Sequence, residues 1–154
     1  MKSNELRIGN FVLYNTYHDY IGAKNIKDKV INIESISNNG VNLEISNYSH
    51  CPENYWIPFE NITPVTLTEE WLIKLGFELW TTLKTYSIYT IELDNRYTLT
   101  LYVYSNKTNI YLFENFGCED DDADSIKLGE YENYYVHQLQ NIYFSLNNKE
   151  LVLV

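Results

Sequence analysis

The sequence predicts an α+β protein in which short antiparallel strands outnumber the helices. Segments in which apolar and polar residues alternate, a pattern typical of half-buried strands, recur along the 154 residues. Helical patterns are limited to two short segments, one near the middle of the chain and one near its end. Hydrophobic residues make up 45% of the chain and aromatic residues 16%. This composition is too apolar for a disordered chain and supports a folded one.

The length corresponds to one domain or two small ones. We place the division between residues 1–64 and 65–154, as two modules that are either separate or packed as one unit. The first module is predicted to contain strands at 11–14, 29–36 and 41–45, with edge strands or extended segments at 56–59 and 62–65. Asn38-Asn39-Gly40 is predicted to form a hairpin turn, because Asn and Gly tolerate positive φ. The strand over 29–36 is expected to carry a bulge near its end.

The segment Arg7-Ile8-Gly9-Asn10-Phe11-Val12 resembles a pattern found in the first strand of SH3-like small β-barrels. That pattern is a basic residue, any residue, Gly, Asp or Asn, any residue and Val. Together with the short strands, the resemblance implies an N-terminal SH3-like small β-barrel over residues 1–64. An OB-like barrel or a simple meander fits the same segment nearly as well.

The second module begins with a predicted helix over residues 68–76. Thr68 is placed to cap it, and Glu69 and Glu70 lie in its first turn, where the helix dipole favours negative charge. Gly76 is predicted to end the helix in the left-handed conformation, and Phe77 to pack back against it.

An antiparallel β-sheet is predicted to follow, with its strands between about residues 86 and 113. The strands expected are 86–93, 97–104 and 110–113, with a further short one at 126–128. A second helix is predicted over 133–146 from the spacing of Val136, Leu139, Tyr143 and Leu146, which places His137 on its polar side. The segment 150–154 is predicted to be a last strand.

No catalytic motif is found, so the sequence does not predict an enzyme. The three histidines, His18, His50 and His137, are scattered along the chain. Cys51 and Cys118 lack the spacing of a zinc site and are expected to be free thiols. We therefore expect no cofactor and no metal.

The compartment predicted is the cytoplasm of a bacterial host cell. No apolar run reaches the roughly 18 residues that a membrane span needs, and the N-terminus lacks an apolar signal core. The formal net charge of −10 makes direct nucleic-acid binding improbable, because that function needs clustered Lys and Arg. The sequence does not predict the oligomeric state.

Acidic residues are concentrated in the second module. Residues 1–64 carry five basic and seven acidic side chains, a net of −2, whereas residues 65–154 carry six and fourteen, a net of −8. Such a surface either steers association with a basic protein partner or only keeps the protein soluble. The 15 tyrosines allow the same two interpretations, since Tyr favours both protein interfaces and strands. The predicted partner-binding residues are Glu119, Asp120, Asp121, Asp122, Asp124, Tyr102, Tyr104 and Tyr134.

Three segments resemble a group of small proteins of phages, prophages and mobile elements of Bacteroidetes-type bacteria. The segments are Glu5 to Asn10, Leu67 to Phe77 and Tyr135 to Leu146, and they occur in the same order. The group has no established activity, so the resemblance implies a setting and not a mechanism.

That setting suggests a non-enzymatic inhibitor of a host defence nuclease, of the anti-CRISPR type. The partner would be a CRISPR effector with a basic channel, bound through the acidic, Tyr-rich surface. The alternative is an SH3-like protein-binding accessory module of the mobile element, with no role against host defence.

Overall fold

The computed structural model describes residues 3–15, 29–44, 56–114 and 125–154. It confirms the α+β class, with two antiparallel sheets of four and five strands and two α-helices. The chain divides into two compact units. Unit 1 contains residues 1–65 together with 135–141, and unit 2 contains 66–134 and 142–154.

The sheet of unit 1 has the strand order β3-β2-β1-β4. Its strands are β1 (Phe11–Tyr14), β2 (Lys29–Ile36), β3 (Val41–Leu43) and β4 (Ile62–Pro64). The register of β2 against β3 shifts between Ile33 and Ser35, which confirms the predicted bulge. Side chains from all four strands form one hydrophobic cluster, which includes Val12, Tyr14, Ile33, Leu43 and Ile62.

The turn before β3 is held by a close backbone contact. Val41 and Ile57 exchange backbone hydrogen bonds of 2.9 and 2.7 Å. A Cβ atom added at Gly40 would lie 2.3 Å from the carbonyl oxygen of Ile57. Only glycine therefore fits this position, which confirms the predicted turn and adds a reason for its glycine that local sequence does not contain.

The four strands of unit 1 do not close into a barrel within the residues described. The SH3-like small β-barrel over residues 1–64 therefore stays a prediction. A 3-10 turn at Phe59–Asn61 stands in the segment predicted as extended, immediately before β4.

Unit 2 contains a five-stranded meander with the order β5-β6-β7-β8-β9. The strands are β5 (Glu78–Thr82), β6 (Tyr86–Glu92), β7 (Tyr97–Tyr104), β8 (Thr108–Glu114) and β9 (Ser125–Tyr131). Three of them match the strands predicted between about 86 and 113. The sequence did not predict β5, and it predicted only the 126–128 core of β9.

Helix α1 (Glu69–Lys74) confirms the predicted helix and both of its end signals. The Thr68 hydroxyl accepts a hydrogen bond from the Trp71 backbone N–H at 3.3 Å. Gly76 has a φ of +84°, and the Gly76 and Phe77 N–H groups donate to the carbonyls of Ile73 and Leu72. This is the paired hydrogen-bond pattern of a Schellman C-terminus.

A buried tyrosine links α1 to the sheet of unit 2. Burial, with a side-chain hydrogen bond to Glu69 at the start of α1, raises the pKa of Tyr89 to about 12. Tyr89 lies on β6 on the same face as Leu99 and Leu101 of β7, which are both fully buried. Glu69 therefore stabilises the helix twice, in its first turn and through this strand.

Helix α2 (Val136–Asn147) begins three residues later than predicted. Asn148 has a φ of +50° just beyond its end, so the Asn147-Asn148 pair ends the helix as expected. The predicted placement of His137 on the polar side is wrong, because His137 is only 3% exposed. Leu146, expected in the apolar stripe, is exposed instead.

The predicted last strand over residues 150–154 is not formed. Leu151 is buried, whereas Val152, Leu153 and Val154 are exposed. The Val154 N–H donates to the carbonyl of Lys74, at the end of α1, rather than to a strand. An apolar run that packs only one residue against the fold does not need a sheet partner.

Neither helix in the part of the chain described here combines the length and apolar character required to cross a membrane.

Candidate protein-binding surface

Five aromatic side chains share one face of the five-stranded sheet. Residues directly opposite each other in antiparallel strands point to the same face. Tyr104 of β7 pairs with Tyr86 of β6, and Thr100 and Thr98 pair with Tyr111 and Phe113 of β8. Alternation along β7 places one more tyrosine on this face. We call the set the tyrosine strip: Tyr86, Tyr102, Tyr104, Tyr111 and Phe113.

The rings of the tyrosine strip contact one another across three strands. The ring centroid of Tyr86 lies 4.9 Å from that of Tyr104 and 5.6 Å from that of Tyr102. Tyr102 meets Tyr111 edge to face at 5.1 Å, and Tyr111 lies 6.2 Å from Phe113. All five side chains are partly exposed. The strip is therefore a continuous aromatic surface whose rings are already held in place.

A group of three charges borders the β9 side of the tyrosine strip. Glu130 accepts hydrogen bonds from Lys127 at 2.6 Å and from Lys107 at 2.9 Å. These contacts, the one with Lys127 first, lower the pKa of Glu130 to about 2. The Lys107 ammonium also lies 5.6 Å from the ring centre of Tyr104. The lysines on this side are thus already engaged with a carboxylate and a ring.

The opposite end of the same face has an acidic cavity. It has a volume of about 460 Å³ and is lined by Gly76, Glu78, Thr90, Ile91, Glu92 and Thr98. The four polar residues among them all lie on the tyrosine-strip face, since Glu78 pairs with Thr90 and Glu92 pairs with Thr98. We refer to this feature as the acidic cavity.

The structure brings together only part of the predicted partner-binding set. Tyr102 and Tyr104 lie in the tyrosine strip. Tyr134 does not, because it is 4% exposed and stacks on Tyr131 with ring centroids 4.5 Å apart. Its inclusion in an exposed binding face is therefore corrected. The predicted acidic residues lie outside the described residues: Glu119, Asp120, Asp121, Asp122 and Asp124.

Sequence reasoning missed Tyr86, Tyr111 and Phe113 as members of this surface. Each lies in a segment that was predicted as a strand. The missing information was the register between strands, because a one-residue slip moves a side chain to the opposite face. Exposed Leu79, Trp80 and Leu83 were also missed, since they belong to or follow β5, which the sequence did not predict.

Two of the three segments that resemble phage proteins bind each other. The Gln140 side chain accepts from the Phe11 N–H at 2.8 Å and donates to the Gly9 carbonyl at 2.9 Å. Asn10 donates to the Asn141 side chain at 3.0 Å, and Asn141 donates to the Glu5 carbonyl at 3.0 Å. We call this network the amide clamp. It holds the start of unit 1 and accounts structurally for both segments.

The described residues contain no group of three or more His, Cys, Asp or Glu side chains able to hold a metal ion. His137 is buried and stacks on Tyr135 with ring centroids 5.9 Å apart. Burial lowers the pKa of His137, and its Nδ1 has no hydrogen-bond partner. His18, His50, Cys51 and Cys118 lie outside the described part of the chain.

Comparison with protein-family models, with curated proteins and with solved structures gives no match to this chain.

Proposed function

We propose that this protein acts by binding another protein through the tyrosine-strip face of unit 2. The observation that carries the proposal is the continuous contact of five partly exposed aromatic rings across β6, β7 and β8. Tyr supplies large contact area at low cost in side-chain entropy, which is why it is enriched at protein interfaces. Rings that already contact each other lose little further freedom when a partner binds.

The partner we propose is a host defence nuclease, which the protein inhibits without catalysis. Two observations support this choice. The net charge of −10 favours a partner with a basic surface, such as the nucleic-acid channel of a CRISPR effector. The resemblance of three segments to phage and mobile-element proteins supports a setting in which such an inhibitor is useful. The acidic segment that includes Asp120, Asp121 and Asp122 extends the same proposal to the channel itself.

The alternative function, an SH3-like accessory module of the mobile element, is favoured by the strand order of unit 1. Strand β1 pairs with β2 on one side and with β4 on the other. The Val41–Ile57 bridge and the 3-10 turn before β4 follow the chain order of an SH3-like barrel. In this alternative, unit 1 binds other proteins of the element and the acidic residues are ordinary surface.

The test is affinity capture followed by an inhibition assay. The tagged protein is incubated with host-type lysate that contains CRISPR effectors, with and without added nuclease, and captured proteins are identified by mass spectrometry. We expect recovery of an effector in both conditions and loss of its cleavage activity in a purified assay. Recovery of only element-encoded proteins would transfer the proposal to the accessory module.

A matched pair of variants assigns the effect to the tyrosine strip. Tyr102→Thr combined with Tyr104→Thr removes two rings from the strip and is expected to weaken effector binding at least tenfold. Tyr97→Thr removes a ring from the opposite face of the same strand and should leave binding unchanged. If both variants inhibit as well as the natural chain, the strip is not the interface. A charge-reversal series over the predicted acidic residues tests the channel separately: Glu119, Asp120, Asp121, Asp122 and Asp124.

A further inference from the structure

The acidic cavity contains two carboxylates that have no counter-charge. Glu78 and Glu92 are both exposed, and neither takes part in an ion pair within the described ranges of the chain. The third carboxylate on this face, Glu130, already holds Lys107 and Lys127. A cation that approaches this face is therefore stabilised most at the Glu78–Glu92 end.

The strand register places aromatic rings opposite these carboxylates. Thr98 pairs with Glu92 on one side and with Phe113 on the other. Thr100 likewise lies between Thr90 and Tyr111. Adjacent strands are about 4.8 Å apart, so the carboxylate row and the aromatic row are roughly 10 Å apart, with only threonines between them.

A guanidinium group suits this gap better than an ammonium group. It is planar, carries five N–H donors, and both pairs with carboxylates and stacks on aromatic rings. An ammonium is a compact, strongly hydrated charge and gains less from a neighbouring ring. The arrangement of Glu78 and Glu92 on one side and Tyr111 and Phe113 on the other therefore favours arginine over lysine.

A second, independent feature of the same face also requires an N–H donor. Asn109 pairs with Tyr102 across β7 and β8, so its side chain shares the tyrosine-strip face. It is only 6% exposed, yet its side-chain oxygen has no hydrogen-bond partner. An unpaired buried carbonyl costs about 1–3 kcal/mol, a cost that a bound donor removes.

We propose that the acidic cavity binds an arginine side chain of the partner protein. The guanidinium lies between the Glu78 and Glu92 carboxylates and the rings of Tyr111 and Phe113. The peptide chain next to this arginine runs along the tyrosine strip and donates an N–H to Asn109. Thr98 and Tyr102 are four residues apart on β7, so an extended segment of about four residues, roughly 13 Å, covers this distance. The inference rests on the proposed function, because it specifies which chemistry the protein-binding face recognises.

The cavity is tested by nuclear magnetic resonance on the full ¹⁵N-labelled chain, with acetyl-arginine methylamide as the probe. We expect saturable shifts of the Thr90, Glu92 and Thr98 amides, weaker shifts with acetyl-lysine methylamide, and none with acetyl-citrulline methylamide, which has the same shape without the charge. The double variant Glu78→Gln, Glu92→Gln should lose the shifts. Glu70→Gln, an exposed glutamate paired with Lys74 on α1, should keep them.

Two results would overturn the arginine site: equal shifts with the citrulline probe, or shifts that persist in the double variant. Failure of all probes to shift these amides would overturn it as well. The spectra of the variants report their folding directly, so a loss of shifts cannot be mistaken for unfolding.

The extension along the tyrosine strip is tested with pentapeptides that carry Arg at one end and Leu at the other, in both orientations. One orientation is expected to bind about fivefold more tightly than acetyl-arginine methylamide, the gain of one added hydrogen bond to Asn109. Asn109→Leu should remove this gain without changing the binding of acetyl-arginine methylamide. Equal gains in the natural chain and in the variant would contradict the role of Asn109.

These results are separable from the nuclease proposal. Specific arginine binding together with no captured or inhibited effector would leave the site standing and reject the nuclease as the partner. Effector inhibition that survives the double glutamine variant would do the reverse.

Discussion

At the scale of single residues, Tyr134 shows that burial does not imply a satisfied side chain. Its ring packs on Tyr131, but its hydroxyl is buried with no hydrogen-bond partner. Burial, more than the neighbouring Tyr131, raises the pKa of this hydroxyl, so it stays protonated at any ordinary pH. The ring therefore stabilises unit 2, while the oxygen destabilises it.

Tyr134→Phe is accordingly expected to stabilise the protein. Removing a buried polar atom that has no partner recovers its desolvation cost, which we place at about 1 kcal/mol in the free energy of unfolding. The measurement is urea unfolding followed by circular dichroism. Tyr97→Phe, at a partly exposed position on β7, is the control and should change stability little. A less stable Tyr134→Phe protein would mean that the hydroxyl has a partner, such as an ordered water.

At the scale of elements, the amide clamp makes the position of α2 depend on one glutamine. Gln140 is fully buried and satisfies two backbone groups on both sides of Asn10. Gln140→Leu keeps a similar volume but leaves the Phe11 N–H and the Gly9 carbonyl without these partners. We expect the free energy of unfolding to fall by about 2–4 kcal/mol.

The control for the clamp is another glutamine of the same helix. Gln138 is only partly buried and accepts one hydrogen bond, from the Tyr135 N–H. Gln138→Leu should therefore cost about 1 kcal/mol, close to the value of a single hydrogen bond. Equal losses in the two variants, measured by urea unfolding, would show that the clamp is not the source of stability.

How far the sequence predicts each element depends on whether its signal is local. Thr68 and Gly76 mark the two ends of α1 within ten residues, and both predictions are confirmed. Strand β5 has no such signal, because Leu79 and Trp80 are adjacent and its pairing with β6 is irregular there. Gln140 is polar, so its burial depends on backbone groups about 130 residues away in the chain. Periodicity within one segment contains no information about such partners.

At the scale of the whole molecule, composition predicts the charge and the aromatic content but not their arrangement. Alternation along β7 places Tyr102 and Tyr104 on one face from sequence alone. Their contact with Tyr86 and Tyr111 depends on the registers of two hairpins. The acidic cavity likewise forms from β5, β6 and β7 together. The sequence thus indicates what the surface is made of, and the pairing of strands determines where the surface lies.

The stability of the whole chain is expected to change with pH in two separate steps. His137 is buried, and its pKa lies below its usual value of 6.5 because burial disfavours the charged ring more than nearby Glu5 favours it. Above pH 6.5 the ring is neutral in both the folded and the unfolded chain, so its contribution is constant. Below pH 6.5 the unfolded chain takes up a proton that the folded chain resists, and the free energy of unfolding falls as the pH falls.

The second step lies at lower pH and belongs to Glu130. Its carboxyl has a pKa of about 2 in the folded protein against 4.5 in its unperturbed state, so the stability it contributes is lost as the pH falls from about 4.5 to 2. This step should be the smaller one, because the Glu130 pairs are exposed and screened by solvent. His137→Phe keeps a ring stacked on Tyr135, and it should abolish the decline just below pH 6.5 while leaving the decline below pH 4.5. Glu130→Gln should do the opposite. Urea unfolding at intervals from pH 8 to pH 3 measures both, and a decline just below pH 6.5 that persists in His137→Phe would assign it to another group.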